Sequence, residues 1–344
     1  MLERPATPRP RPRALANWLS VVAVLVFLMV VVGGITRLTE SGLSITRWEP
    51  VSGAIPPLND DAWQREFELY KASPQYQINN RGMRLEDFKA IFFWEFVHRQ
   101  LGRLIGLAFA VPFAFFWWRR AIPEGHGWKL AALLGLGALQ GAIGWWMVAS
   151  GLVEVPQVSH IRLAVHLLTA LLIFAGLIWV ARDLRNLADV PGARPARITL
   201  LAIWALCLLF VQFLFGAYVA GLDAGYAFNT WPRMGEDYYP AAAPWMQPAL
   251  RNFVDNPIMV QFVHRWLAFV VALVAFWLAA RAWMAGHRME SALLVGAVFA
   301  QVLLGILTIL SGVQIDIAVA HQGMAALLLG ATVSAAHRLG ERRA

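Results

Sequence analysis

Cysteine is almost missing from this 344-residue chain: Cys207, inside an apolar stretch, is the only one. No disulfide within the chain and no cysteine-based metal site can therefore form, and Cys207 reads as a small apolar core residue. Charge is sparse as well. Charged residues make up 15% of the chain, hydrophobic residues make up 59%, and the mean hydropathy is +0.55. A soluble domain of this size needs more polar surface, so the composition points to a polytopic membrane protein. The alternating pattern of a membrane β-barrel is also missing.

In its place stand eight apolar stretches, near 15–36, 91–118, 128–149, 160–181, 197–220, 258–283, 289–311 and 316–337. Each approaches or exceeds the roughly 20 residues that cross a bilayer as a helix. Lipid offers no partner for unpaired backbone, so all eight are expected to be helical. The first follows MLERPATPRPRPRALAN, is long for a signal-peptide core, and is followed by no clean small-residue cleavage site; a retained span is expected. The formal charge of +8 is not a nucleic-acid signal. Its basic residues lie at span ends: Arg4, Arg9, Arg11 and Arg13; Arg119, Arg120 and Lys129; Arg182, Arg185, Arg194 and Arg197; Arg281 and Arg288; Arg338, Arg342 and Arg343. Eight spans place all of them on one side with both termini. The positive-inside rule makes that side cytoplasmic, in a cell inner membrane.

Internal similarity divides the chain into two four-helix halves, 1–181 and 198–344, joined by a cytoplasmic linker at 182–197. FVHR occurs at 96–99 and again at 262–265. Gln140, Gly144, Ser150 and Gly151 match Gln301, Gly305, Ser311 and Gly312, and His166 answers His321. In the outer loops, TESGLSITRWEP (Thr39 to Pro50) lies over LDAGYAFNTWP (Leu222 to Pro232), pairing Glu40 with Asp223 and Trp48 with Trp231. An even number of spans per repeat gives both halves one orientation. The expected fold is an all-α polytopic membrane protein of eight transmembrane helices, arranged as two pseudo-symmetric four-helix bundles. Within the long outer loop 37–90, residues 63–73 read as a short amphipathic helix, either a lid on the membrane surface or a plain packed segment.

Of eight histidines, His126, His160, His287 and His337 fall at turns or span ends and read as interfacial polar residues. His98, His166, His264 and His321 lie inside the even-numbered spans at similar depth in the outer leaflet. A buried polar side chain in a span is costly and marks a functional site by default. Two histidines facing across a four-helix bundle suit the two axial positions of heme iron, whereas structural zinc wants four ligands together. Two heme sites follow, His98 with His166 and His264 with His321. Arg99 and Arg265 come directly after two of these histidines and can either meet heme propionates or reach toward headgroups.

The duplicated FVHR motifs differ in one neighbour. Glu95 shares a helix face with His98, whereas Gln261 holds the equivalent place before His264. One site thus has a carboxylate for acid–base or charge-stabilising work and the other a neutral amide. Structural ion pairing with Arg99 or Arg37 is the competing role for Glu95.

Four stretches carry a specific resemblance over nearly the whole chain: GGITRLTESGLSITRWEPVSGAIPP (Gly33 to Pro57), WEFVHRQLGR (Trp94 to Arg103), QGAIGWWMVASGL (Gln140 to Leu152) and NTWPRMG (Asn229 to Gly235). They resemble the heme A synthase family of bacteria and mitochondria. That resemblance implies oxidation of the C8 methyl of heme O to a formyl group by successive hydroxylations, with water-derived oxygen, giving heme A for cytochrome oxidase. It implies a substrate site at His98 and His166, a heme b cofactor held by His264 and His321, and Glu95 as the essential acid of a Glu-x-x-His motif. Partners implied are an electron acceptor, not identified by the sequence, and the farnesyltransferase that makes heme O. Oligomeric state is left open. Some relatives carry outer-loop cysteine pairs, which this chain lacks. The alternative class is a quinol-linked dihaem b-type electron-transfer protein; a transporter is less well matched, because the polar intramembrane residues crowd one side.

Overall fold

The computed structural model describes residues 10–153, 155–240 and 244–342. Arg4, Arg9 and Arg343, three of the basic residues used above to orient the chain, lie outside them. Eight helices are long and apolar enough to span a membrane: α1 (Pro12–Leu38), α4 (Leu85–Trp118), α5 (Gly127–Ala149), α6 (His160–Asp189), α7 (Leu200–Gly221), α9 (Pro257–Met284), α10 (Arg288–Leu310) and α11 (Ile315–Gly340). Between them lie three short helices, α2 (Asp60–Lys71), α3 (Pro74–Ile78) and α8 (Asn252–Asp255). No strand occurs among the described residues. The chain is a multi-pass, all-helical membrane protein, as its apolar runs require.

Helix starts follow local chemistry. Thr199 caps α7 by accepting from the Ala202 amide, and Asn256 caps α9 ahead of Pro257, whose missing N–H costs nothing in a first turn. Two helices run past the apolar stretches. The helix α4 begins at Leu85 rather than near 91, and α6 continues to Asp189. The added turn of α4 is amphipathic. Its Phe88 and Phe92 take the aromatic face of α2, with Phe67 and Tyr70 each 5.1 Å from Phe88 and Trp63 5.0 Å from Phe92 between ring centroids. The segment expected at 63–73 is thus a helix over 60–71. It spends its apolar face on α4 rather than on a lipid surface.

Packing groups α1, α4, α5 and α6 together and α7, α9, α10 and α11 together, and the groups meet through α1, α6, α7 and α11. Ala275, Ala279 and Ala282 of α9 and Ala335 and Ala336 of α11 are buried, and small residues of this kind allow close helix approach. Polar ties cross between the groups at both ends. Toward the end away from the termini Arg37 pairs with Asp223 at 2.7 Å, and Gln322 donates to the Val30 carbonyl at 2.8 Å. At the end of the bundles that carries the chain termini Asp183 is buried. It accepts from Lys129 at 3.1 Å, from the Ala196 amide at 2.9 Å and from His337 Nε2 at 2.9 Å. His337 is fully buried, not interfacial as its place in the sequence suggests, because the carboxylate from α6 draws it inward.

Candidate functional site

Each of the four intramembrane histidines packs against a glycine of the preceding span. A Cβ built on Gly33 of α1 would stand 3.2 Å from His98 Cε1, and one on Gly144 of α5 would stand 2.9 Å from His166 Cε1. Gly216 of α7 and Gly305 of α10 would meet His264 and His321 Cε1 at 3.1 and 2.9 Å. At Gly144 and Gly305 a Cβ would come closer than side chains pack, and at Gly33 and Gly216 the imidazole would have to give by a few tenths of an ångström, so the glycines make room for the imidazoles. His98 and His166 lie within electrostatic reach of each other, and so do His264 and His321. No group of three or more metal-ligating side chains exists among the described residues. The histidines come in pairs, a number that suits an iron whose remaining ligands a macrocycle supplies. Overlaying α1 on α7 in register with their loops pairs Gly33 with Gly216. That signal was present in the sequence and points to two cradle residues the motif reading passed over.

The arginines after the first and third of these histidines hold the loops that follow α1 and α7. Arg99 donates to the carbonyls of Ile45 at 2.8 Å and Arg47 at 2.9 Å. Arg265 donates to Phe228 at 2.9 Å and to Thr230 at 2.8 Å, with Arg233 at 3.2 Å. In the loop overlay Ile45 falls on Phe228 and Arg47 on Thr230, so both arginines read the same backbone positions. Glu40 and Asp223, paired by that overlay, share the left-handed φ of 52°. Arg265 is buried, and its Nε has no protein partner.

Glu95 is 3% exposed and surrounded by donors. Arg99 gives Oε1 bonds from Nη2 at 2.8 Å and Nε at 3.1 Å. Oε2 accepts from the Ser44 hydroxyl and the Ile45 amide, both at 2.7 Å. A carboxyl that only accepts, and accepts from a guanidinium, is suited to its ionised form. Arg37, the other partner considered for Glu95, pairs with Asp223 instead. In the second half Gln261 donates from its amide nitrogen to the Phe228 carbonyl at 3.1 Å, and its oxygen is buried with no partner. The hydroxyl goes with the carboxylate, since Ala227 takes the place of Ser44 in the loop overlay. Ser44 was not singled out from the sequence, because its contact with Glu95 spans a loop fold that local patterns do not encode.

Residues 16–333 match the COX15-CtaA family, described as cytochrome oxidase assembly protein. A protein of Rhizorhabdus wittichii named heme A synthase is 56% identical over 339 residues, covering 98% of each chain. Proteins of the same name from Sphingopyxis alaskensis and Novosphingobium aromaticivorans are 55% and 48% identical. They cover 97% and 98% of this chain, and 94% and 99% of their own lengths are matched. With two histidine pairs in glycine cradles, one buried carboxylate and a match across nearly all its length, the chain belongs to the COX15-CtaA family.

Proposed function

We propose that the protein is a heme A synthase that oxidises the C8 methyl of heme O to a formyl group for use in cytochrome oxidase. The observation that carries this reading is the buried, donor-surrounded Glu95 beside one histidine pair only. Gln261 occupies its place beside the other. The names borne by the relatives support the same activity and give the quinol-linked alternative no support.

In this reading the first half, 1–181, receives heme O between His98 and His166. The second half, 198–344, holds heme b through His264 and His321, and residues 182–197 connect them. Fit is supported by the four glycine cradles and by the buried, unpartnered Nδ1 atoms of His98 and His321. A bound heme b supplies one-electron redox chemistry. Arg99 and Arg265 fasten the loops beside the histidines, where porphyrin carboxylates would be met, and Arg265 Nε is free for such a contact.

Overall, the methyl carbon loses two hydrogens and gains one oxygen from water across two hydroxylations. The resulting gem-diol loses water to leave the aldehyde, and four electrons and four protons depart to an external acceptor. Glu95, anchored by Arg99, Ser44 and Ile45, acts as a fixed negative charge that favours positive charge developing on the macrocycle. Ser44 and the Ile45 amide keep the carboxylate oriented. The protein is placed in the inner membrane with termini and basic turns cytoplasmic, the heme sites toward the outer face, and the farnesyltransferase that makes heme O as handover partner.

Pigment extraction from the purified protein tests this. One heme b together with heme O or heme A is expected, while two permanent b hemes would indicate electron transfer instead. His264→Ala should lose the b-type absorbance, and its retention would overturn the assignment of the second half.

A further inference from the structure

The two bundles close differently along one seam. In the second half α9 lies closely on α10 and also on α11; in the first, α4 lies loosely on α5 and hardly reaches α6. Residues on the facing helices account for this. On α5, Leu133 reaches α6, where a Cβ on Gly176 would stand 2.9 Å from it, and Gly144 makes room for His166. Gly137 lies between them on the same face, yet a Cβ there would meet nothing within 4 Å. On α4, Gly102 lies against Met29, and Phe109 is buried against Trp18 with 4.9 Å between ring centroids. Gly106 falls between them and again meets nothing, as does Gly141 of α5. Matching His98 with His264 and Gly144 with Gly305 puts Ala272 at Gly106, Val298 at Gly137 and Val302 at Gly141. Val298 is 3% exposed, and Ala272 packs on the apolar core. The second half thus fills what the first leaves open.

The gap has a depth and a direction. Gly106 stands about 12 Å along α4 from His98, and Gly137 about 10 Å along α5 from Gly144. Both displacements run toward the end that carries the chain termini, where the Arg11 amide donates to the Ala121 carbonyl just past α4. Away from the termini the seam is bridged. Arg103 of α4 donates to the carbonyls of Glu49 and Pro50 at 2.8 and 2.9 Å, and Trp48 of the same loop meets Trp145 of α5 at 5.2 Å. In the second half Phe269 replaces Arg103, and Trp231 stacks on it at 6.1 Å, which keeps that loop on α9. A ligand centred on His98 and His166 therefore has open, apolar space between α4 and α5 on the terminus-bearing side, with Gly106, Gly137 and Gly141 all exposed along it.

Heme O carries a long isoprenoid chain on the porphyrin edge opposite its two carboxylates. With the carboxylates toward the loop that Arg99 fastens, that chain runs along the gap. We propose that Gly106, Gly137 and Gly141 form an apolar subsite for the isoprenoid chain of the substrate. Ala272, Val298 and Val302 close the corresponding seam around a porphyrin that has no such chain. This rests on the reading that the first half receives heme O.

Full-length protein in detergent, purified from cells that make no heme O and with its second site filled, is titrated with heme O and with iron protoporphyrin IX, followed by absorbance. The unmodified protein should bind heme O more tightly. Gly137→Val, which copies Val298, should weaken heme O by about tenfold or more, the size of overpacking an occupied site, and leave iron protoporphyrin IX unchanged. Gly106→Ala, which copies Ala272, should act in the same direction by less. Equal weakening of both porphyrins, or undiminished binding of heme O, would overturn the subsite and leave the glycines as ordinary helix contacts. Equal affinity of the unmodified protein for the two porphyrins would overturn it as well, with the function of the first half still standing. Failure of the unmodified protein to bind heme O would overturn that function and the subsite with it. If Gly137→Val does not accumulate, Gly106→Ala decides by the same comparison.

Discussion

Replacing Glu95 by glutamine separates charge from shape at the one position where the two halves differ most. The carboxylate receives two bonds from Arg99 and one each from Ser44 and Ile45. Glutamine keeps one oxygen and turns the other into a donor. Whichever way the amide points, that NH2 faces either the Arg99 guanidinium or the Ile45 N–H, so at least one buried donor loses its partner, at about 1–3 kcal/mol. The cost stays below the roughly 3–5 kcal/mol of a fully orphaned buried charge, because Arg99 retains the carbonyls of Ile45 and Arg47. Arg265 already lives beside Gln261 on carbonyls alone. The protein should therefore fold and keep the spectrum of its second-half heme. The chemical effect should be much larger. Loss of a preorganised charge at the reacting centre is worth about 10²–10³-fold in rate. The assay is chromatography of hemes extracted from membranes in which this chain is the sole source of heme A, with heme O accumulating instead. Near-normal heme A from Glu95→Gln would remove the charge from the mechanism. The double variant Ser44→Ala, Glu95→Gln copies the Ala227 and Gln261 pairing of the second half, so it should recover stability without recovering activity.

Gly305→Ala should displace His321, since its Cβ would stand 2.9 Å from Cε1. Overpacking of this kind costs about 1–3 kcal/mol, and b-type absorbance should fall; Gly144→Ala should instead spare that absorbance and impair substrate uptake. His126 gives a pH dependence. Burial holds its imidazole below the ordinary histidine range, so the folded state resists a proton that the unfolded chain accepts. Its contribution to stability is complete above about pH 6.5 and declines as pH falls below that value. Thermal unfolding of His126→Gln should lose less stability than the parent between about pH 7.5 and 5.5; parallel curves would exclude His126 as the titrating group.

The spans were legible because lipid imposes a long apolar run on each, and the four histidines stood out because polar side chains inside apolar runs are costly. The start of α4 was not legible. Its first turn is amphipathic, and it packs on aromatic partners in α2. Glu95 and Gln261 could be contrasted from the repeat alone, yet the partners of Arg99 and Arg265 could not, since loop carbonyls more than thirty residues away leave no local pattern. His337 was misjudged for the same reason: the carboxylate that buries it lies 154 residues earlier.

The buried carboxylate of Asp183 also bears on how the protein is made. Of its donors, Lys129 opens the third span and the Ala196 amide follows shortly after the fourth, but the third comes at the end of the last one. The terminus-bearing end of the earlier bundle therefore stays unfinished until translation of α11 is nearly complete. A fragment comprising residues 1–197 would present this acid incompletely satisfied, and supplying residues 198–344 as a separate polypeptide would restore the missing imidazole.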